Sequence, residues 1–171
     1  MFDLILGGAR SGKSAYAQRV ALGRSPAPVY LATSRPWDDD FSARIARHRA
    51  DRGPEWTTVE EPRDLARAEL AGRVVVVDCV TLWLTNLCAD AKWDTEAALA
   101  VARAELDRVA AIEAAWILVS NELGTAPHAA TEAGRKFVDA QGFINQDIAR
   151  RARSVVLMVA GCPLPVKGGL L

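Results

Sequence analysis

The feature that most restricts this chain is a short apolar run, Phe2 to Leu6, that ends in Gly7-Gly8-Ala9-Arg10-Ser11-Gly12-Lys13-Ser14. The run reads as a buried strand entering a tight turn. The octapeptide matches G-x-x-x-x-G-K-[ST], and a helix is expected from Lys13 to about Gly23. Between a strand and a helix, glycines let the backbone curl so that its N–H groups point at phosphate oxygens, and the helix start adds its positive dipole end. Lys13 then reaches the β- and γ-phosphates of ATP or GTP, and Ser14 offers its hydroxyl to Mg²⁺. A plain strand-to-helix turn is the alternative, and it leaves the full match unexplained.

Strand and helix signals alternate along the rest of the chain. Val29 to Ala32 reads as a second strand, Ser34 to Asp40 as a polar loop, Phe41 to Arg52 as a helix, and Trp56 to Val59 as a third strand. Pro62 opens a further expected helix that ends near Gly72. Arg73-Val74-Val75-Val76-Val77-Asp78 has the β-branched composition of a central parallel strand, and Thr95 to Ala114 follows as an alanine-rich helix. Trp116 to Ser120 and Val155 to Val159 are expected strands flanking a helix from about Thr131 to Ala152. Such alternation predicts an α/β, three-layer P-loop NTPase-like fold, with a mostly parallel central sheet, helices on both faces and the ligand at the carboxyl ends of the strands. Asp78, at such an end, either holds the same Mg²⁺ as Ser14 or merely caps the following segment.

Length and charge limit the remaining possibilities. A chain of 171 residues is expected to form one catalytic domain, 1–171. With 21 basic and 21 acidic residues the formal charge is +0, so no global field steers the protein to nucleic acid or an anionic membrane. Cys79, Cys88 and Cys162 are odd in number and lack CxxC spacing, which argues against a zinc site or a disulfide framework and fits a reducing compartment. The strand and glycine-rich loop at the start leave no room for a leader, and no apolar run is long enough to cross a bilayer, so a cytoplasmic location is expected.

His48 and His128 are the only histidines. On a helical wheel His48 follows Phe41 and Ile45 on or beside the inward face, with Arg44 and Arg52 one turn to either side and Arg49 adjacent. These arginines can gather triphosphate oxygens and hold the imidazole neutral and nucleophilic. A half-buried histidine bonded within the sheet–helix interface explains the same spacing. His128, next to Pro127, reads as structural or incidental.

Several segments together carry a resemblance to a known family. They are Gly7 to Ser14; residues 30–62, which include A-R-I-x-x-H-x-x-x-R at 43–52 and W-x-T-x-E at 56–60; Val74 to Leu87; Ser120 to Gly124; and Phe137 to Gln146. The chain resembles, nearly end to end, the bifunctional adenosylcobinamide kinase / adenosylcobinamide-phosphate guanylyltransferases of cobalamin biosynthesis. The resemblance implies phosphorylation of the aminopropanol hydroxyl of adenosylcobinamide, then transfer of GMP to that phosphate to give adenosylcobinamide-GDP, with one nucleotide site serving both steps. It implies that His48 is the guanylylated residue, beside Lys13 as the other catalytic group. It further implies that Ser34, Arg35, Arg49, Ala50, Asp51, Arg52, Glu60 and Thr81 line the nucleotide, and that the chain assembles as a homotrimer. Two departures stand out: Asp78, where relatives also carry glutamate, and Thr125 to Ala129, where the family usually has Gly-x-Gly-x-x-Pro after the Asn121 to Gly124 motif.

Two other functions share the same phosphate loop. One is a monofunctional small-molecule kinase in which His48 is structural. The other is a nucleotide-dependent regulatory module that modifies no small molecule.

Overall fold

A computed structural model describes residues 1–35, 52–125 and 128–171. All seven strands of the described residues join one sheet: β1 (Phe2–Gly7), β2 (Val29–Ala32), β3 (Thr57–Glu60), β4 (Val74–Asp78), β5 (Ala115–Asn121), β6 (Ala152–Val159) and β7 (Cys162–Lys167). Their order across the sheet is β3-β2-β4-β5-β1-β6-β7, and every pairing is parallel except β6 with β7. The described helices are α1 (Lys13–Arg24), α2 (Val80–Asp90), α3 (Thr95–Ala111) and α4 (Glu132–Arg151). The expected α/β layering is therefore present, with helices on both faces.

Strand side chains alternate between faces, and the two cores follow that alternation. Phe2, Leu4, Val29, Leu31, Val75, Val77, Trp116 and Leu118 pack on one side beneath α2, α3 and α4. Ile5, Tyr30, Val76, Ile117 and Val119 pack on the other with Tyr16, Ala17, Val20 and Ala21 of α1. The same parity puts Asp78, two residues after Val76, on the α1 side. The central strands are covered on both faces, which is why β4 and β5 read as unbroken apolar runs.

Three elements differ from the sequence expectation. The stretch from Pro62 to Gly72 is not a helix; it contains only a 3₁₀ turn at Ala68–Leu70. Side chains claim its backbone. Glu61 Oε1 accepts from the N–H groups of Arg63 and Asp64, buried Glu105 accepts from Ala66 N–H at 2.7 Å, and Trp83 Nε1 donates to the Arg63 carbonyl. Conversely, the α2 helix was not expected. Val80-Thr81-Leu82-Trp83-Leu84 continues the β-branched and aromatic character of β4, Cys79 supplies no side-chain cap, and no acid marks the first turn, so the usual helix-start signals are missing.

Strand β7 also escaped the pattern because Pro163 and Pro165 interrupt it. Proline is tolerated on a sheet edge, where it blunts further pairing. The connection to β7 is a tight turn through Ala160 (φ 50°) and Gly161 (φ 83°), both left-handed, as a two-residue hairpin of the favoured twist requires. Helix α3 ends at Ala111, three residues before the expected Ala114.

Candidate active site

The loop after β1 has the conformation its sequence implies. Arg10 (φ 56°) and Gly12 (φ 91°) are left-handed, and Gly12 caps the start of α1. Ser11 N–H donates to the Gly8 carbonyl at 3.3 Å, so the turn closes on itself and leaves the helix start facing outward. Gly7 has no room for a side chain. A Cβ there would meet the Ser11 hydroxyl and would stand 2.9 Å from the Met158 carbonyl. Gly8 is open on its outer side. The loop rests on the β6–β7 turn, whose Gly161 N–H donates to the Ser11 carbonyl at 3.0 Å. That support was not foreseen, since Ala160-Gly161 is not among the residue pairs that mark a two-residue hairpin.

Lys13 folds across this loop, its Nζ 3.1 Å from the Gly8 carbonyl. Its charge also acts on the neighbouring thiol of Cys79, which burial and the Asp78 carboxylate nevertheless push up to about 12. Ser14, half-buried, is the next residue of α1.

Because β5 separates β1 from β4, the phosphate loop and Asp78 do not sit on adjacent strands. Two strand spacings put them about 10 Å apart across the end of β5. Asp78 pairs in register with Ala32 and Val119, and Glu60 with Ala32, so these ends form one row along the carboxyl edge. Asp78 is fixed by its neighbour: Tyr30 Oη donates to Asp78 Oδ2 at 2.7 Å. Burial, and then the Asp78 charge and that hydrogen bond, push the Tyr30 phenol far above its ordinary range despite the opposing charge of Arg52. Arg52 sits over the Tyr30 ring, 3.9 Å from guanidinium carbon to ring centroid, and Trp56 meets the ring edge-on at 5.9 Å.

A fully buried hydroxyl braces this corner. Thr33 Oγ1 donates to the Cys79 carbonyl at 2.8 Å and accepts from the Cys79 N–H at 2.9 Å. Asn86 of α2 donates to the carbonyls of Thr33 and Pro62. On the other side of β5, Ser120, Gln141 and Asn145 form a buried network, and Asn145 Nδ2 donates to the Asn121 carbonyl. Neither Thr33 nor this network was singled out from the sequence. A polar residue at the end of an otherwise apolar strand is the signal that would have found both.

The other expected nucleotide contacts are distributed along the same edge. Thr81 Oγ1 accepts from the Asn121 N–H at 3.1 Å, tying the start of α2 to the end of β5. Arg35 makes a two-pronged pair with Asp90 at 3.1 Å for each bond, and Arg63 joins it at 3.1 Å. Ser34 is half-buried, and Glu60 is exposed at the end of the edge strand β3. His48, Arg49, Ala50 and Asp51 lie outside the described residues, as do Ala126 and Pro127 of the altered loop. A separate apolar recess of about 310 Å³ is lined by Thr85, Trp93, Thr131, Ala133, Gly134 and Phe137.

Among the described residues no group of three or more His, Cys, Asp and Glu side chains could hold a metal unaided. Mg²⁺ is commonly bound through one or two carboxylates plus waters and substrate phosphates. One carboxylate, Asp78, and one hydroxyl, Ser14, on the same side of the sheet fit such an ion. Among the described residues, no helix is long and apolar enough to cross a membrane.

Comparison with known proteins gives the family. The chain is 46% identical to the bifunctional adenosylcobalamin biosynthesis protein CobP of Pseudomonas aeruginosa, covering 98% of both chains. It is 36% identical to the bifunctional adenosylcobalamin biosynthesis protein CobU of Escherichia coli and 34% identical to that of Salmonella typhimurium, in each case over 98% of this chain and 100% of the other. The archaeal flagellar accessory protein FlaH of Methanocaldococcus jannaschii superposes with a TM-score of 0.47 at 12% identity, covering 98% of this chain and 78% of that one, which adds nothing to the strand order. The sequence model of one family spans residues 3–166. On that match and on relatives alike from end to end, the chain belongs to the cobinamide kinase / cobinamide phosphate guanyltransferase family.

Proposed function

We propose that the chain phosphorylates the hydroxyl of adenosylcobinamide with ATP or GTP, then transfers GMP from GTP to that phosphate through a guanylyl-His48 intermediate. The observation that carries this reading is the convergence of the Lys13 loop and Asp78 on one side of the carboxyl edge, with Arg52 anchored on the tyrosine that holds Asp78. His48 stands four residues before Arg52 in the sequence. The family match supports both activities.

In the first reaction the acceptor hydroxyl oxygen bonds to the γ-phosphorus, the bond from that phosphorus to the β–γ bridging oxygen breaks, and the nucleoside diphosphate departs. The hydroxyl proton passes to solvent or to the departing phosphate. Backbone N–H groups of residues 8–14 and the Lys13 ammonium stabilise charge on the phosphoryl oxygens, so the protein contributes position and field rather than a covalent partner. Ser14 and Asp78 would hold Mg²⁺, which when bound neutralises phosphate charge.

In the second reaction a neutral imidazole nitrogen of His48 bonds to the α-phosphorus of GTP, and pyrophosphate leaves. The phosphate oxygen of the phosphorylated acceptor then bonds to the same phosphorus, the phosphorus–nitrogen bond breaks, and the imidazole is restored. Arg49 and Arg52, with Ser34, Arg35, Ala50, Asp51, Glu60 and Thr81, are the proposed surroundings of the nucleotide. Incubation with α-³²P-GTP tests the covalent step. Label that survives base, is lost in acid and is absent from His48→Ala is the expected result. Kinase turnover without any retained label would reduce the protein to a phosphotransferase.

A further inference from the structure

We propose that Tyr30 is a positioning residue for the metal–nucleotide end of the site: its hydroxyl fixes the orientation of the Asp78 carboxylate, and its ring seats Arg52. This rests on the reading above that Asp78 serves Mg²⁺. Tyr30 lies on β2, in register with Val76 of β4, so its side chain and that of Asp78 emerge two residues apart on the α1 side of the sheet. The 2.7 Å bond commits Oδ2 to the phenol. A carboxylate anchored through one oxygen presents the other in a constant direction, and a metal ligand that must not rotate benefits from such an outer partner.

The phenol is well placed as a donor: Tyr30 is buried, and its hydroxyl lies 2.7 Å from Asp78 Oδ2. Its other neighbours leave it little freedom. Trp56 closes one edge and Arg52 covers a face, while the buried Arg52 Nε has no hydrogen-bond partner among the described residues. One side chain thus touches both the acid at the end of β4 and the first described residue after the arginine-rich segment that carries His48.

Tyr30→Phe removes only the hydroxyl and keeps the stack, whereas Tyr30→Leu removes the seat of Arg52 as well. The full-length protein is titrated with N-methylanthraniloyl-GTP in Mg²⁺ and in EDTA, and the ratio of the two Kd values measures how much the metal strengthens binding. Tyr30→Phe should lower that ratio about 3- to 10-fold, somewhat less than complete loss of a charged hydrogen bond because water replaces part of it. Its Kd in EDTA should stay within about 2-fold of wild type, as one buried hydroxyl away from the phosphates implies.

Tyr30→Leu should in addition reduce the initial rate of labelling by α-³²P-GTP below that of Tyr30→Phe. Equal labelling by the two variants would remove the role assigned to the ring. Asp78→Asn separates the layers of the argument. If it leaves the Mg²⁺ ratio untouched, the metal assignment itself fails. If it collapses the ratio while Tyr30→Phe does not change it, or if Tyr30→Phe weakens binding equally in EDTA, Tyr30 is only a packing residue and the proposal is wrong.

Discussion

Replacing Thr33 by valine tests how the carboxyl edge is braced. The two side chains have nearly the same shape, but valine cannot make the two bonds to Cys79. The losses differ. The Cys79 carbonyl keeps the helical N–H of Trp83 at 3.0 Å, so losing the Thr33 hydroxyl there costs about 0.5–1 kcal/mol. The Cys79 N–H, buried beside a fully buried residue 33, is left without that acceptor at about 1–3 kcal/mol. The new methyl returns up to about 0.8 kcal/mol. The net is a destabilisation of about 2 kcal/mol, which for a chain of this size lowers Tm by roughly 4–8 °C. Urea unfolding followed by tryptophan fluorescence and by far-ultraviolet dichroism gives the value, with Thr33→Ser as the variant that keeps both bonds. Valine as stable as threonine, or serine as damaging as valine, would refute the account.

Other consequences follow from the same geometry. Gly7→Ala should weaken GTP binding at least about 10-fold, because its methyl meets the Met158 carbonyl and the Ser11 hydroxyl and the loop must shift; isothermal titration checks this. Asp3, whose side chain is 3% exposed, pairs with both Arg24 and Arg153, so Asp3→Ala should cost about 1–3 kcal/mol in a denaturant titration. Ellman's reagent should find one fast thiol, Cys162, in the folded protein and three in denaturant, since Cys79 and Cys88 are buried and burial raises both thiols. For Asp147, burial alone would raise the carboxyl, but the bonds and charges of Arg103 and Arg150 prevail and hold it below its ordinary value. Its folded form thus prefers to stay ionised, so its contribution is present above the ordinary carboxylate range and fades as pH falls through the depressed value. The urea midpoint should drop between pH 5 and pH 3, and less steeply in Asp147→Asn.

Much of this architecture was legible because single residues carried more than one signal. Gly7 to Ser14 announced both a turn and a ligand, and the run from Val74 to Asp78 announced both a buried strand and a placed acid. Helix α2 was illegible for the opposite reason. Its apolar positions Val80, Trp83, Leu84, Leu87 and Cys88 keep a helical spacing, but they follow the apolar β4 without a break, and neither a side-chain cap nor an acid marks where the helix begins. The segment after Pro62 misled because its helix-like composition is overridden by Glu61 and Glu105, which take its N–H groups one at a time. At the site, side chains that would touch phosphate were readable from motif chemistry, whereas Tyr30 and Thr33 were not. Their roles depend on which strand lies beside which, and local spacing carries no record of that neighbour.

The strand that intervenes between the loop and the acid has one more effect. From Ala115 to Asn121 it bears no charged side chain, and its polar end is tied down by amides and a hydroxyl that are themselves neutral. A guest lying across it therefore meets no charged side chain from that strand, so its charged ends are read only by the groups on either side, Lys13 toward β1 and Asp78 with Arg52 toward β4 and β2.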